Sequence, residues 1–265
     1  MQSSYTIRKK IEIEGVVPYT GVHGIIRLKP ADKLIFRNEQ GTAEVRPENM
    51  GKNGITHTTL LKEKGVKIYS VEHLLSAFVG MGIDGCEVEI EGNQLPSPDA
   101  SAQTYCERIE RVGRKRIGVR KYRHLTESLF RDGASMAIIH PSNQYILSAL
   151  IQYPGIIGEQ YYRIGIEDYA EISRSCTFFR EEMTKERWNK HRKLFPWLGK
   201  VEDSPILARN KKGWLTPVMY QNEPVRHKLL DAIGDLAFLG PVKGEVTLIR
   251  PGHEFNRKLV RYLML

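Results

Sequence analysis

The sequence predicts an α+β fold made of two similar halves, residues 1–116 and 117–265. The first indication is an order of elements (strands, helix, glycine, strand, helix) that runs twice along the 265 residues. The second is local, because residues 87–91 alternate between polar and apolar side chains and residues 222–241 have helical periodicity. These patterns favour two layered units that pack against each other.

The first half begins with strands and ends with a helix. Strand patterns cover residues 5–13, 24–28, 33–37, 66–69 and 87–91, and helix patterns cover residues 70–80 and 101–112. Ser70 stands where the first of these helices should be capped, and Gly80 stands where it should stop. Its polar side carries Glu72 and His73, and only small side chains follow one turn later. A ligand therefore has room beside these two residues.

The second half repeats this order around a charged insert. Strand patterns cover residues 136–140, 144–152, 161–166 and 245–250, and a closing helix begins at His253. The insert, near residues 178–200, is crowded with Lys, Arg and Glu and has helical propensity in part. We place the division between the halves after residue 116, inside a basic run that extends from Arg108 to His124.

The most informative stretch is the long helix predicted for residues 222–241, whose ends carry capping and stop signals. Its broad apolar face consists of Val225, Leu229, Ala232, Ile233, Leu236 and Leu239. A separate row is formed by His227, Asp231 and Asp235, which follow at i, i+4 and i+8. This row fits a divalent metal bound from adjacent turns. It also fits a His–Asp salt bridge beside an exposed acid, which is the commoner origin of such spacing.

Composition and charge exclude several classes of protein. The hydrophobic and charged fractions, 41% and 27%, are those of a globular protein, and no apolar run approaches the ~18 residues of a membrane span. We expect a cytoplasmic protein without a signal peptide. The formal net charge of +9 predicts an anionic partner. No glycine-rich phosphate loop, RNA-binding aromatic pattern or zinc-finger spacing supports nucleic acid as that partner.

The basic run and the three cysteines have ordinary interpretations. The run from Arg108 to His124 fits a solvated linker and helix end, with a membrane or nucleic-acid surface as the alternative. Cys86, Cys106 and Cys176 are odd in number and lack C-x-x-C spacing. We therefore predict small buried side chains rather than a disulfide framework or a cysteine zinc site.

A candidate hydrolytic site emerges if the two halves face each other. Glu72 and His73 come from the first half, the row that begins at His227 from the second, and His253 from the last helix. Two histidines and one aspartate would fill three positions of a tetrahedral zinc ion and leave the fourth for water. Glu72 could then accept a proton from that water, and His253 could protonate a leaving amine. Each residue taken alone also has a structural explanation.

Four motifs spread over nearly the whole chain can be aligned with known ones: residues 70–73, 173–178, 226–235 and 252–256. They match T-V-E-H, S-R-x-x-T-F, R-H-K-x-x-D-x-I-G-D and G-H-x-x-N, with Ser70 in place of the first threonine. In this combination and order the chain resembles the zinc-dependent UDP-3-O-acyl-N-acetylglucosamine deacetylases of lipid A biosynthesis, the family called LpxC.

The resemblance implies a role for each matched residue. The positions of the zinc ligands correspond to His73, His227 and Asp231, with Fe²⁺ as the alternative ion. By the same resemblance, Glu72 corresponds to the general base and His253 to the general acid. Asp235 corresponds to the residue that orients the acid, and Thr177 to a residue that stabilises the oxyanion. The substrate-binding positions correspond to Lys228, Arg250 and Phe178.

The resemblance also implies a fold and a partner. The family fold is two β-α-α-β layers that face each other with the active site between them, which agrees with the doubled order of elements. The implied substrate is a UDP-linked amino sugar that carries an acyl chain, and this anion suits the charge of +9. We expect a monomer, and a transient contact with the inner-membrane surface is left open.

Three segments depart from the family pattern, and two other functions stay open. The family's L-H-T-G and I-P-I-x-D-G-S stand here as residues 18–21 and 95–101, each with substitutions. The G-G-S that helps to shape the family's acyl passage is not evident near residues 201–204. One alternative is a zinc deacetylase of another N-acetylated sugar or nucleotide sugar. The other is a non-catalytic zinc or nucleotide-sugar binding protein, which would need none of Glu72, His253 and Asp235.

Overall fold

The computed structural model of the chain describes residues 2–17, 21–52, 58–194 and 199–265. Helices and strands occur in both halves of the described chain, which confirms the α+β class. The first half contains strands β1 (Ser3–Ile7), β2 (Ile11–Val16), β3 (His23–Lys29), β4 (Leu34–Asn38), β5 (Gly41–Glu44), β6 (Met50–Gly51), β7 (Leu60–Glu63), β8 (Val66–Tyr69) and β9 (Cys86–Ile90). Its helices are α1 (Glu72–Gly80) and α2 (Gln103–Val112).

The rest of the chain contains the elements of the second half and of the insert. The strands are β10 (Arg114–Val119), β11 (Arg123–His124), β12 (Ser128–Asp132), β13 (Ser135–His140), β14 (Tyr145–Tyr153), β15 (Gly158–Gly165), β16 (Arg209–Asn210), β17 (Gly213–Trp214) and β18 (Val242–Ile249). The helices are α3 (Ala170–Ser173), α4 (Lys185–Leu194), α5 (Glu223–Leu236) and α6 (His253–Tyr262). A 3₁₀ turn, Ala237–Leu239, extends α5 toward the predicted stop at Gly240.

The two main sheets share one topology. The first has the strand order β2-β3-β9-β4-β5, and the second has the order β12-β13-β18-β14-β15. The middle strand of the first sheet is β9, which is antiparallel to β3 and parallel to β4. The middle strand of the second sheet is β18, which is antiparallel to β13 and parallel to β14. The repeated order of elements in the sequence therefore corresponds to a repeated sheet.

Two local expectations from the sequence are corrected. The single strand expected over residues 5–13 is two strands, β1 and β2, separated by the charged Arg8-Lys9-Lys10. Ser70 does not cap α1, because the residue before the helix is Val71 and Ser70 has a φ of 63°. The Ser70 hydroxyl instead accepts a hydrogen bond from Gln94 Nε2.

The predicted division after residue 116 falls inside β10. This strand pairs antiparallel with β1, so the ribbon β1–β10 crosses the proposed boundary. The division into residues 1–116 and 117–265 stays a prediction. None of the helices in the described ranges is long and apolar enough to cross a membrane.

The long helix α5 lies in the core rather than at its edge. Its predicted apolar face is buried, and so are the side chains of His227, Asp231 and Asp235. The alternative of an exposed acid is excluded, because Asp235 is 0% exposed. A smaller apolar cluster supports the insert and contains Met183, Trp188 and Ala208.

The three cysteines are free thiols, as predicted. Cys86 and Cys106 are buried and Cys176 is half-buried. Burial raises the pKa of each thiol to about 12, so none of the three is activated as a nucleophile.

Candidate metal centre and catalytic site

A close crossing of two helices brings the predicted site residues together. α1 carries Glu72 and His73, and α5 carries the row that begins at His227. A Cβ atom added to Gly234 of α5 would lie 2.0 Å from the backbone oxygen of Glu72. Only glycine permits this approach, and the approach sets the side chains of α1 beside those of α5.

Three side chains meet with the spacing of metal ligands. The ligating atoms of His73, His227 and Asp231 all lie within 4.8 Å of one another. Asp231 Oδ1 is 3.4 Å from His73 Nε2 and 3.3 Å from His227 Nε2. Atoms that share a tetrahedral zinc ion at ~2.0–2.1 Å lie about 3.3–3.4 Å apart, so these residues fit such an ion. The group could hold one metal and leave a fourth position open.

Neighbouring groups fix the orientation of these side chains. His227 Nδ1 donates to the backbone oxygen of Ser175 over 3.0 Å, which leaves Nε2 as the lone-pair atom that faces the cluster. Lys228 Nζ donates to Asp231 Oδ2 over 2.6 Å, and Oδ1 faces the two imidazoles. His227 Nε2 and Asp231 Oδ1 are thus both directed toward the same point.

The electrostatics of the cluster favour a bound cation. Burial by itself would raise the pKa of Asp231, but His227, Lys228 and His253 hold it well below its ordinary value. Burial lowers the pKa of His227, which favours the neutral imidazole that a metal requires. Burial also opposes a charge on His73, yet Asp231 raises the pKa of that imidazole. An ionised carboxylate between two imidazoles therefore attracts positive charge.

Glu72 lies beside this cluster but outside the candidate ligand set. Its side chain is buried, and Oε2 accepts a hydrogen bond from the backbone N–H of Thr59 over 2.9 Å. Burial raises the pKa of Glu72, against the opposing effects of His253 and His73. A buried carboxylate with a raised pKa in a cleft is typical of a group that exchanges protons.

His253 is paired with a fully buried carboxylate. Its Nδ1 donates to Asp235 Oδ2 over 2.9 Å, and Asn256 Nδ2 donates to the same oxygen over 2.8 Å. Its Nε2 lies 3.8 Å from Asp231 Oδ2, on the side of the metal candidates. Burial by itself would lower the pKa of His253, but Asp235 and Asp231 raise it to about 9.

Two cavities meet at this point. One has a volume of about 570 Å³, contains the metal candidates in its wall, and continues along Phe178, Phe179, Met183 and Ile206. The other has a volume of about 610 Å³ and is a polar cleft with Arg180, Arg250 and Arg257 in its wall. His253 and Arg180 line both cavities. A molecule with a charged part and an apolar part could place its centre at His253.

The remaining predicted residues fall on different sides of this junction. Thr177 and Phe178 line the apolar cavity, and Thr177 Oγ1 donates to the backbone oxygen of Ala100 over 3.2 Å. Lys228 is buried against Asp231, with its Nζ 5.7 Å from the centre of the Phe178 ring. Arg250 lies in the polar cleft, where its guanidinium donates to Gln152.

Comparison with known proteins identifies the family. The sequence model described as LpxC, UDP-3-O-acyl N-acetylglycosamine deacetylase, matches residues 4–265. The chain belongs to this deacetylase family. The UDP-3-O-acyl-N-acetylglucosamine deacetylase of Marinobacter nauticus is 32% identical over 97% of this chain and 88% of its own length. The enzyme of that name from Anaeromyxobacter sp. (strain Fw109-5) is 31% identical over 98% of this chain and 88% of its own length.

A longer relative also matches this member of the deacetylase family. The bifunctional enzyme LpxC/FabZ of Bacteroides thetaiotaomicron is 29% identical over 99% of this chain. The chain spans 64% of the length of that protein. The resemblance drawn from the four sequence motifs is confirmed by these matches.

The sequence did not predict two polar residues of this candidate site. Thr59 touches Glu72, Asp235 and His253, and Arg180 lines both cavities. Thr59 stands 13 positions from Glu72 and 176 from Asp235, outside the four motifs. A threonine before a short strand carries no pattern that predicts such contacts.

The departures from the family pattern have different outcomes. Residues 18–20 lie outside the described part of the chain. Leu95, Pro96 and Ser97 line the apolar cavity despite their altered motif. The segment in place of the glycine motif forms a 3₁₀ turn, Val201–Asp203, and Val201 packs against the small cluster that supports the insert.

Proposed function

We propose that the protein removes the acetyl group from UDP-3-O-acyl-N-acetylglucosamine, a reaction of lipid A biosynthesis. The observation that carries this proposal is the convergence of three candidate metal ligands with Glu72 and the His253–Asp235 pair at one cavity wall. The names of the family and of its relatives supply the substrate class. Binding alone would not require a buried base and an oriented acid beside the ligands.

The proposed metal ligands are His73, His227 and Asp231, and the proposed ion is Zn²⁺, with Fe²⁺ as the alternative. Two nitrogens and one carboxylate oxygen are a donor set common to catalytic zinc. When bound, such an ion makes water acidic enough to attack near neutral pH and polarises the acetamide carbonyl. His227 and Asp231 are held for this purpose by Ser175 and Lys228.

The protein's own residues move the protons of the reaction. Glu72 accepts a proton from the attacking water, with its carboxylate oriented by the N–H of Thr59. His253 donates the proton on Nε2 to the glucosamine nitrogen as the C–N bond breaks, while Asp235 holds Nδ1. Thr177 lines the cavity near these groups, and its hydroxyl, once it turns away from the backbone oxygen of Ala100, is the proposed donor to the oxygen that gains negative charge. The products are acetate and the free amine.

The two cavities suit the two ends of this substrate. The cleft of about 610 Å³ offers Arg250 and Arg180 to a diphosphate, which guanidinium groups bind well. The cavity of about 570 Å³ offers Phe178, Phe179 and Met183 to an acyl chain. Lys228, the third predicted substrate-binding residue, contacts Asp231 and reaches the substrate only from the cavity wall.

A contact with the membrane surface is proposed for the basic run, because the substrate carries an acyl chain. The side chains of Arg108, Arg111, Lys115 and Arg116 in this run are exposed. A cluster of such side chains binds anionic lipid with about 1 kcal/mol per residue near the surface. Sedimentation with anionic vesicles at low salt, compared with neutral vesicles, tests this contact. The monomeric state and the cytoplasmic location stay predictions.

The experiment that tests the function is acetate release by the zinc-loaded protein. UDP-3-O-acyl-N-acetylglucosamine is compared with UDP-N-acetylglucosamine, each with and without a chelator. We expect chelator-sensitive release from the acylated compound. Equal release from the non-acylated compound would favour the alternative of another N-acetylated nucleotide sugar. Release from neither would contradict the proposed function.

A further inference from the structure

One residue outside the predicted site contacts both groups that move protons. Thr59 is 2% exposed and directly precedes β7. Its backbone N–H donates to Glu72 Oε2 over 2.9 Å. Its hydroxyl donates to Asp235 Oδ1 and lies 3.1 Å from His253 Nδ1. The main chain of Thr59 therefore holds one group and its side chain holds the other.

The fold fixes Thr59 in this position. β7 and β8 are paired antiparallel, and the N–H of Ser70 donates to the backbone oxygen of Thr59 over 3.0 Å. A turn at residues 64–65 joins β7 to β8, and only two residues separate β8 from α1, so the first residue of α1, Glu72, comes back beside Thr59. A main chain tied into a strand pair at this point has little freedom to move. The hydroxyl is consequently presented to Asp235 in one orientation.

The hydroxyl of Thr59 supplies one of the hydrogen bonds to the buried carboxylate of Asp235. Asp235 Oδ2 accepts hydrogen bonds from His253 and Asn256, and Oδ1 accepts one from Thr59. A fully buried carboxylate that lost one of these donors would be free to rotate toward the remaining ones. Because His253 Nδ1 is tied to this carboxylate, such a rotation would turn the imidazole as well.

The hydroxyl also acts on the imidazole directly. An oxygen that donates its proton to Asp235 Oδ1 keeps its lone pairs for the Nδ1–H of His253. Nδ1 thus faces two acceptors, Thr59 Oγ1 and Asp235 Oδ2, and carries the proton in either charge state of the ring. Nε2 is then the atom that gains and loses a proton on the cavity side.

We infer that Thr59 is a positioning residue of the proposed deacetylation: its hydroxyl fixes the orientation and tautomer of His253 through Asp235. This inference rests on the proposed function for its kinetic consequence but not for its geometry. Thr59 lines the polar cleft, but its hydroxyl is turned to Asp235 and His253. It acts on the reaction through His253 and Asp235.

The first test replaces the hydroxyl without changing the volume. We expect Thr59→Val to lower kcat about tenfold, which is a part of the 10²–10⁴-fold that a general acid contributes. KM and the zinc content should stay within about twofold of the wild type. Thr59→Ser keeps the hydroxyl and should restore most of kcat. Thr126→Val, at an exposed threonine, is the matched control. A Ser variant as slow as the Val variant would overturn the inference.

A double substitution separates positioning from general damage to the fold. In a His253→Ala background, Thr59→Val should have no further effect on kcat, because the group through which it acts is gone. An undiminished tenfold loss in that background would overturn the inference. Thermal unfolding of each variant shows whether the fold is retained.

A readout without substrate keeps the inference separate from the proposed function. In ¹⁵N-histidine-labelled, zinc-loaded protein, we expect the Nδ1 proton of His253 to exchange slowly with solvent in the wild type and in Thr59→Ser, and faster in Thr59→Val. Equal exchange in all three would overturn the role of Thr59. If the wild type released no acetate, the proposed function would fail, and this exchange measurement would still decide the inference.

Discussion

At the scale of single residues, the site consists of charges that are kept in the interior by dedicated partners. Asp235 is fully buried and accepts from Thr59, His253 and Asn256. Asp231 is buried against the ammonium of Lys228. Buried carboxylates are stable only when such donors satisfy them. The donors also fix which atom of each side chain faces the cavity.

The proposed role of Glu72 as the base predicts that a substitution there lowers turnover without lowering zinc binding. Glu72→Gln keeps the size of the side chain and its hydrogen bond from Thr59, but it removes the ability to accept a proton. We expect kcat to fall by about a hundredfold or more, with zinc content unchanged. Acetate release and metal analysis of the same sample measure both quantities.

A matched control distinguishes this effect from a general effect of charge. Glu107→Gln removes a carboxylate from the exposed side of α2 and should leave turnover unchanged. Full activity of Glu72→Gln at full zinc content would contradict the role assigned to Glu72.

The structure brings together the candidate residues that the motifs predicted, and it adds Thr59, which lies in no motif. His227, Asp231 and Asp235 share one helix, and their spacing alone indicated a common row. The second donor to Asp235 could not be predicted, because Thr59 approaches it only through the tertiary fold. The burial of the row was also not predictable, since polar side chains at helical spacing are usually solvated.

At the scale of elements, the site depends on the distance between α1 and α5. Gly234 allows the backbone of α1 to approach until a Cβ atom would stand 2.0 Å from Glu72 O. In the sequence, a glycine within a predicted helix indicates only a lower helix propensity at that position. The reason for this glycine is a tertiary contact, which no local pattern indicates.

Gly234→Ala should therefore destabilise the protein although alanine is the better helix former. The gain in helix propensity is about 1 kcal/mol. The clash is with backbone, which cannot give way as a flexible side chain can, so we expect a net loss of about 1–3 kcal/mol of unfolding free energy. Separation of the helices should also weaken zinc binding. Denaturant unfolding and a zinc titration measure these two effects.

Gly118→Ala is the control for this substitution. Gly118 lies in β10, and an added Cβ atom would meet nothing within 4 Å. We expect its unfolding free energy to stay within about 0.5 kcal/mol of the wild type. If Gly234→Ala were as stable as Gly118→Ala and bound zinc equally well, the close crossing would not be what positions the site.

At the scale of the whole molecule, a repeated sheet topology supports one asymmetric site. Each sheet has its last strand between two hairpins. The candidate metal ligands, base and acid, however, lie on α1 of the first half and on α5 and α6 of the second. The order of elements was predictable because strand and helix periods are local. The pairing of β10 with β1 across the proposed boundary was not, since it joins residues more than 100 positions apart.

The measurement that tests the central claim most directly is a zinc titration of the chelator-treated protein, followed by acetate release from UDP-3-O-acyl-N-acetylglucosamine. The account predicts that activity rises linearly and stops rising at one zinc ion per chain, because His73, His227 and Asp231 form one site. It also predicts that His227→Ala removes this rise. Activity that was independent of zinc, or that rose equally in His227→Ala, would contradict the account.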